Sequence, residues 1–171
     1  MKAIVYLFLF VGVLLSSCAP KTTESETLED QMQALEAKLF GEENEYNPDD
    51  AVLLMSLYLQ AADETENDSL VVEYLFKAAD LMMYHAEPHQ TISVYDRIIN
   101  EFPVSDKAVM SLFLKAFVYD VRLSDTMHAR QTYQDFLRLY PNHPLVPDVE
   151  MSIKNLGKSL EELVSEFESV N

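Results

Sequence analysis

EYLFKAADLMMYHAEPHQTISVYDRIINEFP, residues 73–103, and SLFLKAFVYDVRLSDTMHARQTYQDFLRLYP, residues 111–141, align on each other without a gap. Lys77 and Lys115, Ala78 and Ala116, Tyr95 and Tyr133, and Pro103 and Pro141 are identical pairs, while Phe102 with Tyr140 and Ile98 with Phe136 exchange like for like. In the second half of each copy, Thr91, Val94, Tyr95, Ile98, Ile99 and Phe102 match Ala129, Thr132, Tyr133, Phe136, Leu137 and Tyr140. These positions recur at i, i+3, i+4, i+7, i+8 and i+11, which is one face of an α-helix. Each copy therefore reads as a helix, a short turn near Glu87-Pro88 or Ser124-Asp125, a second helix and a proline stop. Two helices per unit at a period of roughly 20–50 residues imply stacked hairpins, because no single unit can bury its apolar face alone. The expected fold class is all-α, a solenoid of helical hairpins.

Outward from the repeat, further helices are legible on both sides. Residues 28–40 place Leu28, Met32, Leu35 and Leu39 on one helical stripe that Gly41 would end, and that stripe packs either on the next helix or as a dimer seam. In the acidic stretch that follows, Asn47 is placed as an N-cap, Pro48 at the first helical position, and Asp49 and Asp50 near the positive end of the helix dipole. Residues 51–62 are apolar nearly all round, so that helix needs neighbours on two sides; 62–69 read as a polar loop. Beyond the repeat, 145–156 give another helix ended by Gly157. Ser159 with Glu162 is a capping box opening a last helix, whose stripe Leu160, Leu163, Val164 and Phe167 would seal the stack. The unit near 51–84 adds a loose third layer, which is close to the minimum for a stable stack.

The pattern A-x3-Y-x6-Y-P in Ala129, Tyr133 and Tyr140-Pro141, echoed by Thr91, Tyr95 and Phe102-Pro103, resembles the tetratricopeptide repeat (TPR). In that repeat a small residue lets two helices approach and an aromatic fills the groove between them. The ending YPNHP, 140–144, is similar to the repeat subtype of outer-membrane assembly lipoproteins of the BamD kind and of the periplasmic Tol-Pal-associated coordinator of cell division. The resemblance implies a right-handed solenoid whose repeat core holds Ala78, Tyr95, Pro103, Ala116, Ala129, Tyr133, Tyr140 and Pro141. It also implies a concave face made by the first helix of each repeat. Phe76, Asp80, Met83, Tyr84, Leu114, Val118, Val121 and Arg122 are the candidate partner-binding residues there, with packing as their alternative role.

The start of the chain carries a separate signal. Met1 and Lys2 precede an apolar run at 3–15 and two serines, the layout of a secretory signal, and the run falls short of the about 20 apolar residues of a membrane span. Leu15-Ser16-Ser17-Cys18 resembles the lipobox of bacterial lipoproteins, which implies lipidation of Cys18 as the first residue of the mature chain; a plain secretion signal followed by an idle thiol is the alternative. Ala19, in place of the Asp that retains such proteins at the inner membrane in many families, leads the resemblance to imply outer-membrane sorting, which leaves the leaflet open; the expected location is the outer membrane, lipid-anchored, on the periplasmic face. The expected organisation is signal peptide 1–17, tether 18–27, N-terminal helix and acidic loop 28–46, and helical repeat domain 47–171.

Composition narrows the function classes. A net charge of -17 leaves no basic stripe for nucleic acid. With three glycines in the whole chain, a Gly-rich phosphate cradle is hard to build. His85, His89, His128 and His143 show no spacing of a metal set, and no nucleophile–base motif occurs, so neither an enzyme, a cofactor nor a metal is expected. Asp68-Ser69-Leu70 and Asp125-Thr126-Met127 resemble an O-glycosylation acceptor of some Gram-negative lineages, at Ser69 and Thr126; both also sit at helix starts, where Asp, Ser and Thr are good N-caps, and capping is the preferred reading. The expected function is a membrane-anchored adaptor binding a protein or peptide partner in the cell envelope, in outer-membrane protein or envelope assembly. The alternative is an accessory regulatory subunit of a peptidoglycan enzyme or cell-division complex.

Overall fold

The computed structural model describes residues 27–41 and 46–159, together with 161, 162, 164, 165 and 168. The expected signal segment, Cys18, most of the tether, and Leu160, Leu163 and Phe167 of the sealing stripe lie outside the described residues. Among the described residues seven bounded α-helices follow one another: α1 Leu28–Phe40, α2 Pro48–Glu64, α3 Asp68–His85, α4 Pro88–Glu101, α5 Asp106–Phe117, α6 Thr126–Leu139 and α7 Val146–Asn155. A π-helical turn, Val118–Arg122, prolongs α5. Among the described residues there is no strand.

Local chemistry sets the helix ends. Asn47 accepts from the Asp49 backbone N–H at 2.9 Å, with Pro48 at the first helical position, as the sequence predicts. Asn67, Ser105 and Asp125 cap α3, α5 and α6 in the same way, each such cap being worth about 1 kcal/mol. The predicted capping box is present too: Ser159 N–H donates to Glu162 at 2.7 Å, and Glu162 N–H to Ser159 Oγ at 3.2 Å. At the other ends, Phe102 (φ -129, ψ 51) and Tyr140 (φ -129, ψ 55) leave their helices at nearly the same angles, each followed by its proline. One expectation is corrected. Instead of a polar loop over 62–69, α2 runs on to Glu64, helped by a Gln60–Glu64 hydrogen bond of 2.8 Å, and α3 starts at Asp68.

Packing runs mainly between consecutive helices, with α3 also touching α5. One core joins α1, α2 and α3 through Met32, Leu39, Leu54, Leu57, Tyr58 and Ala78. The next spans α2 to α5 and the π-turn, with Leu75, Ala79, Met82, Tyr95, Ile98 and Val118. The last joins α5, α6 and α7 around Ala116, Ala129, Tyr133, Phe136 and Val149. The stripe on α1 thus packs on the following helices. The two repeat copies bury their matched faces in the same order: Thr91, Val94, Tyr95 and Ile98 are buried and Ile99 and Phe102 half-buried, as are Ala129, Thr132, Tyr133, Phe136, Leu137 and Tyr140 in turn. Thr91, at the position where the other copy has Ala129, satisfies its buried hydroxyl by donating to the Met82 carbonyl at 3.2 Å.

Of the expected repeat-core residues, Ala78, Tyr95, Ala116, Ala129 and Tyr133 are fully buried. Pro103 and Pro141 are exposed and Tyr140 is half-buried, so the prolines end helices and fill no core. Burial pushes the Tyr133 phenol up to about 12 and raises that of Tyr95 as well. The Tyr95 hydroxyl is buried without a hydrogen-bond partner among the described residues.

These rings set the first expected outcome. Tyr133→Ala should lower unfolding free energy by about 3–5 kcal/mol in urea titration. Tyr95→Phe, which removes an unpaired buried hydroxyl and keeps the ring, should cost nothing and gain up to about 1 kcal/mol. An unchanged midpoint for Tyr133→Ala would overturn the packing register.

Candidate functional site

On α3, Lys77, Asp80, Leu81, Tyr84 and His85 recur at i, i+3, i+4, i+7 and i+8, a second face distinct from the core stripe. This face looks toward the last turn of α1, where Glu36, Ala37 and Phe40 lie, and toward Gly41, Tyr46 and Tyr58. Together they line an open pocket of about 830 Å³, within the range of roughly 300–1,000 Å³ typical of ligand sites. Gly41 permits the tight exit of α1: its N–H donates to the Ala37 carbonyl at 3.0 Å, and a Cβ there would collide with that same oxygen.

A polar clasp ties the floor together. Lys77 Nζ donates to Glu36 Oε1 at 2.9 Å, the Tyr58 hydroxyl donates to the same oxygen, and Lys77 sits 5.3 Å from the centre of the Tyr58 ring. The hydrogen bond from Lys77, then that from Tyr58, holds the Glu36 carboxyl below its ordinary value. Burial, reinforced by Glu36, raises the Tyr58 phenol. At the rim the Tyr46 hydroxyl and His85 Nε2 are hydrogen-bonded, and their rings stack at 5.9 Å.

Asp80 is different. It makes no hydrogen bond or ion pair with any described residue, and desolvation raises its carboxyl above the ordinary value. The cation that acts on it, Lys107, is held elsewhere, 3.4 Å from Glu73 and 4.3 Å from the centre of the Phe76 ring. Around the mouth, Tyr84 is 81% exposed, Phe40 63% and Tyr46 54%. The pocket therefore combines an unpaired carboxylate with three aromatic side chains facing water.

The expected groove residues divide. Asp80 and Tyr84 line the pocket, and Val121 is exposed outside it. Phe76, Met83 and Leu114 are half-buried against the middle core. Val118 is fully buried, and Arg122 donates to the carbonyls of Met83 and Ala86, the latter at 3.0 Å, closing the C-terminal end of α3. Repeat equivalence explains the division. Val118 and Arg122 correspond to Asp80 and Tyr84; Arg122 reaches the C-terminal end of α3, and Asp80 and Tyr84 share a pocket with the end of α1. At the α3–α5 contact Val118 and Arg122 fill the space between helices; at the α1–α3 contact Asp80 and Tyr84 leave it open.

Sequence reasoning missed Glu36, Phe40, Tyr46, Tyr58 and His85. The second periodicity on α3 was the available signal for His85; the others come from the non-repeated N-terminal helices. Ser69 and Thr126 are both exposed; of the two tripeptides read as caps, Asp125 does cap α6, whereas α3 is capped by Asn67, one residue before Asp68. His128 bonds Asp125 at 2.6 Å and stacks on Tyr119, and His143 packs edge-on to Phe136. Among the described residues no group of three or more His, Cys, Asp or Glu is placed to hold a metal ion. Nor is any described helix long and apolar enough to cross a membrane. No protein-family model, curated protein or solved structure matches this chain.

Opposite pH signatures follow for the two carboxylates. The folded pKa of Glu36 is depressed, so its contribution is present above the unfolded value of about 4.3 and fades as pH falls through the folded one. Asp80 is raised, so ionising it in the fold costs stability at neutral pH, a cost absent below about pH 3.9. Thermal melts should show Glu36→Gln less stable and Asp80→Asn more stable than the parent at pH 7, with both differences shrinking in acid. An Asp80→Asn protein less stable at pH 7 would show that Asp80 has a partner in the fold.

Proposed function

We propose that this chain is a non-catalytic adaptor of the bacterial envelope, a TPR-like right-handed solenoid tethered by lipid at Cys18 to the periplasmic face of the outer membrane. It holds a protein or peptide partner against the first helices of its hairpins and acts in outer-membrane protein or envelope assembly. The observation that carries the reading is the equivalence of the two hairpins, α3–α4 and α5–α6, in burial order and helix exit angles. Stacked hairpins of this kind present surfaces for partner proteins and need no chemistry of their own. The pocket between α1 and α3 offers such a surface, rich in exposed aromatic rings, which are favoured as binding anchors. The resemblance of residues 15–18 to a lipobox supports the anchor, since several acyl chains at about 0.8 kcal/mol per buried methylene hold a protein firmly to a bilayer.

Crosslinking in intact cells, followed by affinity purification of the tagged chain and mass spectrometry, tests the adaptor role. A reproducible envelope partner is the expected result. Recovery of a peptidoglycan enzyme whose activity depends on this chain would assign it instead to that enzyme's complex, and recovery of the chain alone would count against the adaptor. Cys18→Ala should move the protein out of the membrane fraction; continued retention there would refute the lipid anchor.

A further inference from the structure

We infer that the pocket between α1 and α3 is a receptor for a cationic side chain, an arginine or lysine carried on an otherwise apolar segment of the partner protein. The inference deepens the adaptor reading and rests on it.

Three observations converge on positive charge. Asp80, an exposed residue of the pocket lining, presents a carboxylate with no hydrogen-bond or ion-pair partner among the described residues, and the pocket's own lysine, Lys77, is taken by Glu36 at 2.9 Å. A cation arriving from outside therefore meets an acceptor that no described side chain engages by hydrogen bond or ion pair, and a charge-assisted hydrogen bond is among the stronger contacts it can make. The rings of Phe40, Tyr46 and Tyr84 surround the mouth, and aromatic faces attract guanidinium and ammonium groups. With a net charge of -17, the chain also steers cations toward itself and repels anionic ligands.

The neighbouring interface shows what fits such a space. At the α3–α5 contact, Arg122 reaches across to the carbonyls of Met83 and Ala86 at the C-terminal end of α3. Tyr84 holds the equivalent place at the α1–α3 contact and is largely exposed, so it makes no such bridge to the end of α1. The carbonyl end of α1 carries the negative pole of the helix dipole, which adds to the pull of Asp80. Ala37, Phe40 and Leu81 supply apolar walls for the residues flanking the cation, and about 830 Å³ is ample for more than one side chain. The occupant is thus a basic residue between apolar neighbours, not a polybasic run.

The test is fluorescence anisotropy on the full chain with two labelled peptides, one with a single arginine between leucines and one with citrulline, its neutral isostere, in that place. The arginine peptide should bind about tenfold more tightly, the scale of one hydrogen bond to a charged group. Asp80→Asn should abolish that preference while keeping the fold, and Glu150→Gln, which neutralises a remote exposed carboxylate on α7, should preserve it. Equal binding of the two peptides, absence of binding, a preference that survives Asp80→Asn, or one lost equally in Glu150→Gln would overturn the proposal. A photo-crosslinking residue placed at Tyr84 in cells separates this from the broader reading: protein adducts there, with no arginine preference in vitro, would leave the adaptor standing and remove the cationic occupant.

Discussion

The fold depends on burying one tyrosine in the second helix of each repeat copy, in cores that mix alanines with larger apolar side chains. Tyr95 is excluded from water in a core that holds Ala62, Ala79 and Ala108 beside Leu75 and Met82, and Tyr133 in one that holds Ala116 and Ala129, with the Phe113 ring 5.9 Å away. The small residues allow backbones to approach, and each ring then fills the resulting space with about 150–250 Å² of buried surface. Other features keep the rings in place. Phe102 and Tyr140 leave their helices at matching angles, and the prolines that follow fix where the second helix stops. The caps at Asn67, Ser105 and Asp125 fix where the next begins. Local signals and long-range packing thus agree on the same helical arrangement.

Most of the helical framework was legible because it is written in short-range terms. Asn47-Pro48, the face from Thr91 to Phe102 and the stripe from Leu28 to Leu39 each depend on residues within a few turns. The polar loop expected at 62–69 failed for the converse reason: Glu64 is helical because Ala61 and Ala62 just before it are buried, and packing extended α2 past the point where composition turns polar. Exposure of Val52 and Leu53 shows the same limit, since the apolar circumference of α2 exceeds what α1 and α3 cover.

The site was only partly legible. Asp80 and Tyr84 followed from placing the first helices of the repeats on one face, but the same rule put Val118 and Arg122 there as well. Repeat alignment identifies which hairpin a residue faces, and leaves open whether that space is filled. Here one interface is closed by a valine and an arginine, and the other is left open by an aspartate and a tyrosine. The opposing wall comes from α1, which has no counterpart in the repeat, and Glu36 meets Lys77 across 41 residues of chain. No periodicity reports a contact of that kind.

The clasp between Glu36, Lys77 and Tyr58 gives α1 a second significance. This helix contributes two wholly buried side chains, Met32 and Leu39, whereas α2 contributes six, so its attachment relies more on the polar clasp. Three residues near its C-terminal end, Glu36, Ala37 and Phe40, form one wall of the pocket. Docking of α1 and occupancy of the pocket are therefore thermodynamically linked: whatever binds between α1 and α3 adds its free energy to the seating of α1, and detachment of α1 releases what is bound.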